Sequence, residues 1–266
     1  MEEQLLNQPG IGHKTIYDDE MFKVPFDKVS LPSEGKLYSG LIPPVLDVEY
    51  MITKDEDILY SSELMSNGTI FSTLVAQKIK TPGVNVDDLL VGDFNEILLF
   101  LRKTAYGNIY ITNSFDPDTQ ELTKKPVDLN ELKRNSLTAM FNELGEFDFV
   151  LPLMNKRITF KLCTVGMMNY INNRAEQMKN KKIGVTPYIT TRLETQIMSV
   201  EGKRDKLFIS KFVQVIPPAD RLRLMQYIES IEPGVSLNYT FKSAIKENEY
   251  TDKIQLGLDF YFPTNI

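Results

Sequence analysis

One cysteine, one histidine and no tryptophan occur in 266 residues. With a single thiol, Cys163, no disulfide can form within the chain. Cys163 and His13 together fall short of the several Cys or His ligands that a structural zinc site takes. A Cys–His catalytic pair would have to join these same two residues, and His13 stands in a polar N-terminal arm. Cys163 follows "RITFKL" as if closing a strand, so its expected role is a small buried core residue. No apolar run nears the ~18 residues of a membrane span, and no membrane is expected among the partners. The opening "MEEQLLNQPGIGHK" has neither a basic n-region nor an apolar h-region, so synthesis in the cytosol is expected. An excess of positive charge is missing too: 36 acidic against 30 basic residues leave a net charge of −6. The basic clusters "KNKK" (179–182) and "KRDK" (203–206) are short and read as solvated helix ends. Nucleic acid is not an expected partner.

Motifs that carry chemistry are equally scarce. "GIGHK" lacks the glycine spacing of a phosphate loop and neither follows a strand nor opens a helix. No GxSxG elbow, Rossmann fingerprint or HExxH occurs. The acid pairs Asp18–Asp19, Asp55/Asp57 and Asp87–Asp88 suit helix starts, where carboxylates complement the dipole. Glycoside chemistry would need two carboxylates on opposite sides of a bond. "DPDTQE" (116–121) has acidic spacing but lacks the glycine and the final glutamate of a calcium loop, and reads as a turn. No catalytic, cofactor-binding or metal-binding residue is therefore assigned, and a non-enzymatic protein is expected.

What the chain does have is core-forming content, 42% hydrophobic with 25% charged, and punctuated periodicity. Residues 1–21 read as a flexible arm. "PPVLDVEYMI" alternates as a strand, and Thr53 with Glu56 has the form of a capping box opening a helix that runs past Leu64 to Asn67-Gly68. "TIFSTLVAQKI" is a second short helix. In "VNVDDLLVGDFNEILLFLRKTAYGN", Asp93 and Glu96 are placed to cap, and Ile97, Leu98, Leu101 and Ala105 form an apolar face. Arg102 and Lys103 suit the helix end, and Gly107 is a natural stop. A hairpin follows at 109–128. "LNELKRNSL" is a candidate short helix, and "FDFVLPL" and "RITFKLC" are strands. Thr164 caps a long helix to about Lys182, with Met167, Met168, Ile171 and Met178 near its apolar side and a charged tail that is expected to project. After Thr186-Pro187, "YITTRLETQIMSV" is expected to be helical up to Gly202, followed by "KLFISKFVQVI" and a proline-initiated helix from "PPADRL". A second hairpin, 237–262, sets Leu237, Tyr239 and Phe241 against Ile254, Leu256, Leu258, Phe260 and Phe262. The fold class is α+β: mixed helices, two β-hairpins and short sheets without disulfides. The expected domains are 22–163 and a helical region 164–266 closed by the hairpin.

Several stretches in order carry a resemblance. "VSLPSEGKLYSG", "VEYMITKDEDIL", "NVDDLLVGDFNEILLFLRKTAYGNIY", "IMSVEGKRDKLFISKFVQVIPPADRLRLMQYIESIEPGVSL" and "LGLDFYFP" together resemble the baseplate hub subunits and hub-assembly proteins of T-even-type contractile-tailed bacteriophages. The similarity spans roughly 22–266. It implies a structural subunit or assembly factor whose partners are other phage tail and baseplate proteins, in an oligomeric or multi-copy assembly. The place it implies is the virion tail baseplate, or the host cytoplasm during assembly. The resemblance also implies paired cysteines at each hairpin tip, as in a small zinc knuckle. Here those positions read "NSFDPDTQ" and "KSAIKENEYTD", without cysteine. The hairpins are then expected to hold by strand pairing and by packing of Ile109, Ile111, Tyr239, Phe241, Phe260 and Phe262. Two other readings remain open: another virion protein of tail or capsid, and a host-directed enzyme or inhibitor.

Overall fold

An antiparallel pair opens the described chain, β1 (Phe26–Ser30) against β2 (Val45–Glu49), with Val29 opposite Leu46. The computed structural model describes residues 23–180, 187–243, 245, 248–254 and 256–261. The arm 1–21 with His13, and also Lys182, Thr186 and Phe262, lie outside them. Helix α1 (Thr53–Leu59) starts one residue earlier than the Thr53/Glu56 pattern predicts: Asp55 Oδ2 accepts from the Ile52 N–H at 2.8 Å. Of two consecutive acids, the one three residues after Ile52 reaches back, and Glu56 instead accepts from the Tyr106 hydroxyl at 2.7 Å. Asp55 also forms a buried ion pair with Lys78 of α3 (Ile70–Lys78), and the Lys78 ammonium donates to Tyr50 O at 3.1 Å. The expected helix through Leu64 is two pieces. The chain breaks at Tyr60, and Ser61 caps α2 (Ser62–Ser66).

Helix α4 (Val91–Tyr106) packs against segments from both halves of the chain, from β1 and α3 to the stretches around Gly234 and Phe260. Ile97, Leu98 and Leu101 are buried as predicted, whereas Ala105 is exposed. Asp93 does not cap the helix. It is fully buried and accepts from Ser33 N (2.9 Å), Ser33 Oγ (2.5 Å) and the Tyr38 hydroxyl (2.5 Å); the Tyr38 oxygen accepts in turn from Leu90 N at 2.8 Å. Burial pushes the Asp93 carboxyl up, against the three donors that pull it down. Glu96 takes a forked hydrogen bond from Arg134 at 2.9–3.1 Å. Arg102 is buried rather than solvated at the helix end. Its guanidinium donates to Phe260 O at 2.7 Å and Gly107 O at 3.1 Å, and lies over the rings of Tyr106 and Phe260. Gly107 ends the helix at φ +80°, a conformation without steric cost only for glycine.

Strands β3 (Ile109–Asp116) and β4 (Glu121–Asp128) form the first hairpin. The expected helix in "LNELKRNSL" is instead a bridge: β5 (Arg134–Asn135) pairs with β9 (Gly234–Val235), drawn in by the Arg134–Glu96 ion pair. Strands β6 (Phe147–Leu151) and β7 (Lys156–Phe160) pair as predicted, and β8 (Ile197–Val200) adds to β7. "IMSV" is therefore strand rather than the end of a helix, because its β-branched residues Ile197 and Val200 bury against β7. Thr164 caps α5 (Val165–Asn180) through Met167 N, as predicted. Helices α6 (Tyr188–Gln196), α7 (Lys206–Val213) and α8 (Pro218–Ile231) follow, the last with proline at its first position. Asp220, buried in the first turn of α8, accepts from Leu153 N and Met154 N and so holds the β6–β7 turn. The β7–β8 and β5–β9 pairings both cross residue 163, and one hydrophobic cluster runs from Val29 to Tyr261.

The second hairpin is shorter than predicted. β10 (Asn238–Lys242) pairs with β11 (Glu249–Lys253), and the chain then makes a helical turn, α9 (Leu258–Tyr261). Phe260 and Tyr261 are adjacent and both fully buried. A strand would point them to opposite faces, whereas a helical turn seats both on α4. There the Tyr261 hydroxyl donates to Leu98 O at 3.0 Å. The architecture is α+β, built from mixed helices and small antiparallel sheets.

Candidate interaction surface

In β3 the inward residues are Tyr110, Ser114 and Asp116, all buried. The outward ones are apolar: Ile109 is 54% exposed, Phe115 54%, and Leu122 on β4 68%. Ile111 stands out as well, and Phe115 lies directly across from Leu122. Ile109 and Ile111 thus do not pack the hairpin, contrary to the prediction. Only Tyr110 and Val127 at the base of the ribbon bury apolar side chains inward; towards the tip the inward positions are Ser114 and Asp116, and the apolar residues face out.

The reason lies in the second hairpin, which covers the polar face. Ser114 Oγ donates to Asp252 Oδ2 at 2.9 Å, and Ser243 Oγ donates to Asp116 Oδ1 at 2.9 Å. Lys125 Nζ donates to Lys242 O at 3.0 Å and Asn248 Nδ2 to Asp118 Oδ2 at 3.1 Å. Asp116 also accepts from Asp118 N at 3.0 Å, which shapes the turn expected of "DPDTQE". Hydrogen bonds to ionised groups contribute about 1.5–3 kcal/mol each when well desolvated. Hydroxyl–carboxylate bonds thus clasp the tips at the positions where the resemblance implies thiolates. Phe241 supplies apolar packing in the second hairpin, flanked by the Tyr239 and Tyr250 rings at 5.1 and 5.7 Å. Sequence reading missed Ser114, Asp116, Ser243 and Asp252 as partners. The available signal was two small polar residues at i, i+2 on one face of a strand.

The other residues singled out from sequence do not converge on one another. Asp55 is paired with Lys78, Asp57 is exposed, and Asp87 with Asp88 closes a 3-10 turn through Asn85. Asp18 and Asp19 lie outside the described residues. Cys163 is buried, and desolvation pushes its thiol up to about 11, away from thiolate chemistry at neutral pH. Among the described residues no group of three or more His, Cys, Asp and Glu is placed to hold a metal ion. Metal analysis of the purified protein is expected to find no stoichiometric zinc. One equivalent per chain would contradict the hydroxyl–carboxylate clasp as what holds the tips. Comparison with family models, curated proteins and solved structures found no match.

Proposed function

We propose that the protein is a non-enzymatic baseplate hub subunit or assembly factor of a contractile phage tail, acting through protein–protein contacts made by the outer face of the first hairpin. The observation that carries the reading is the exposed row Ile109, Ile111, Phe115 and Leu122 on a ribbon clasped from behind. These residues form two apolar patches on the outer face, Ile109 with Ile111 and Phe115 with Leu122, separated by the polar pair Asn113 and Lys124. Exposed apolar side chains grouped in this way are a usual anchor of a protein interface. The sequence resemblance supplies the class of partner, other tail and baseplate proteins. Its quoted stretches also meet in one scaffold: "VSLPSEGKLYSG" provides Ser33 and Tyr38, which bind Asp93 of "NVDDLLVGDF". "EPGVSL" provides Gly234 and "LGLDFYFP" provides Phe260, and both segments dock on α4. The place of action follows as the tail baseplate, or the host cytoplasm during assembly.

Replacing Phe115 and Leu122 together by serine tests this. Both side chains project outward, so stability is expected to change by no more than about 0.5 kcal/mol per site. Co-purification of tail proteins from infected cells, identified by mass spectrometry, is expected to be lost. Retention of the same tail proteins by the folded double variant would sink the reading.

A further inference from the structure

A cavity of about 280 Å³ lies between the first turn of α4, the end of α8 and the base of the second hairpin. Arg192, Glu229, Glu232 and Lys253 line it, together with Asn95 and Cys163. Arg192 and Glu232 face the space from half-buried positions, and Glu229 and Lys253 stand exposed at its mouth. Among the described residues none of the four enters an ion pair, and Glu232, half-buried at the end of α8, accepts no hydrogen bond. Arg192 is also half-buried and donates through Nε to Gln196 at 3.0 Å, leaving its two terminal nitrogens unspent. Burial pushes the Glu232 carboxyl up, while Arg192 and Lys253 across the gap pull it down, so the two charge signs sense each other without touching.

The walls are firm. Gly92 of α4 and Gly234 of β9 meet backbone to backbone, and a Cβ built on Gly92 would stand 1.8 Å from Pro233 O. The first turn of α4 borders the same space: Leu90 offers no side-chain cap, the Val91 N–H donates to Cys163 O at 3.0 Å, and Gly92 and Asn95 line the cavity beside it. At ~30 Å³ per water, the volume equals roughly nine waters, about the heavy-atom count of a mid-sized amino acid. Glu229 and Glu232 stand one helical turn apart on one wall, so they do not form the opposed pair that glycoside hydrolysis requires.

We propose that this cavity is a binding site for a small zwitterion of the α-amino-acid type, whose carboxylate is held by Arg192 and the first turn of α4 and whose ammonium is held by Glu232. One ligand carrying both charges satisfies both unspent groups, which neither an anion nor a cation alone does. The site is separate from the ribbon face, and its occupancy does not depend on the baseplate reading.

The full chain is titrated with each of the standard L-amino acids, with acetate and ethylammonium as single-charge controls, while Tm is followed. At least one amino acid is expected to raise Tm in a saturable manner, as a ligand selective for the native state must. Glu232→Gln is expected to weaken that binding about tenfold or more, with its own Tm equal to or above that of the parent. Arg192→Gln is expected to weaken it likewise. If Arg192→Gln does not fold, the comparison of amino acids with acetate on the parent protein decides. The proposal is overturned if no amino acid shifts Tm, if acetate or ethylammonium alone saturates the same shift, or if the shift survives Glu232→Gln.

Discussion

A chain ended after Gly257 is expected not to fold to the native state. The cut removes Phe260 and Tyr261, both fully buried, and each buried aromatic contributes about 3–5 kcal/mol against alanine. It also removes Phe260 O, the 2.7 Å acceptor of the buried Arg102 guanidinium, and leaves that charge with less compensation inside the protein. The sum approaches the whole stability of a typical domain, about 5–15 kcal/mol. Circular dichroism and thermal melting of the truncated chain measure this directly. An unchanged Tm would mean that α9 does not brace α4. Tyr261→Phe serves as a graded control, since it loses only the hydrogen bond to Leu98 O, typically about 1 kcal/mol.

Gly92→Ala is the second large effect. The added Cβ would stand 1.8 Å from Pro233 O and 2.8 Å from Pro233 C, both backbone atoms that no rotamer change can move aside. From the other side, a Cβ on Gly234 would meet Gly92 Cα at 2.9 Å. Overpacking costs about 1–3 kcal/mol where side chains give way, and more where backbones must separate. A loss of roughly 3 kcal/mol corresponds to a Tm lower by about 6–12 °C for a chain of this size. The β5–β9 bridge and the cavity wall would shift with it, so amino-acid binding is expected to weaken in the same variant. A Gly92→Ala protein with the parent Tm would contradict the backbone contact.

Helix starts and stops were readable because their signals are local. Proline at the head of α8, Thr164 before α5 and Gly107 after α4 each act within one turn of chain. What failed was decided by partners distant in sequence. Asp93 has the form of a cap residue, yet Ser33 and Tyr38, more than fifty residues earlier, draw it into the core. Arg102 suits a solvated helix end, but the returning C-terminus buries it under Phe260. The first hairpin shows the same limit at the scale of a surface. Its alternation is plain, but which face is covered depends on whether hydroxyls and carboxylates find partners 130 or so residues away. "IMSV" continues a helical pattern and becomes strand only because β7 offers an open edge. The candidate surface was therefore visible as a pair of hairpins with polar tips, while its outward apolar row was not.

Leu122 is the best-placed reporter of a partner on the outer face of the ribbon, being 68% exposed and opposite Phe115. A photo-crosslinking amino acid at position 122, expressed during phage infection, would capture what covers that face. Leu222, also on the surface at 50% exposure but on α8, is the control. Position 122 is expected to yield adducts with tail or baseplate proteins, and position 222 is not. Adducts lacking any tail protein, or the same adducts from both positions, would contradict the baseplate reading.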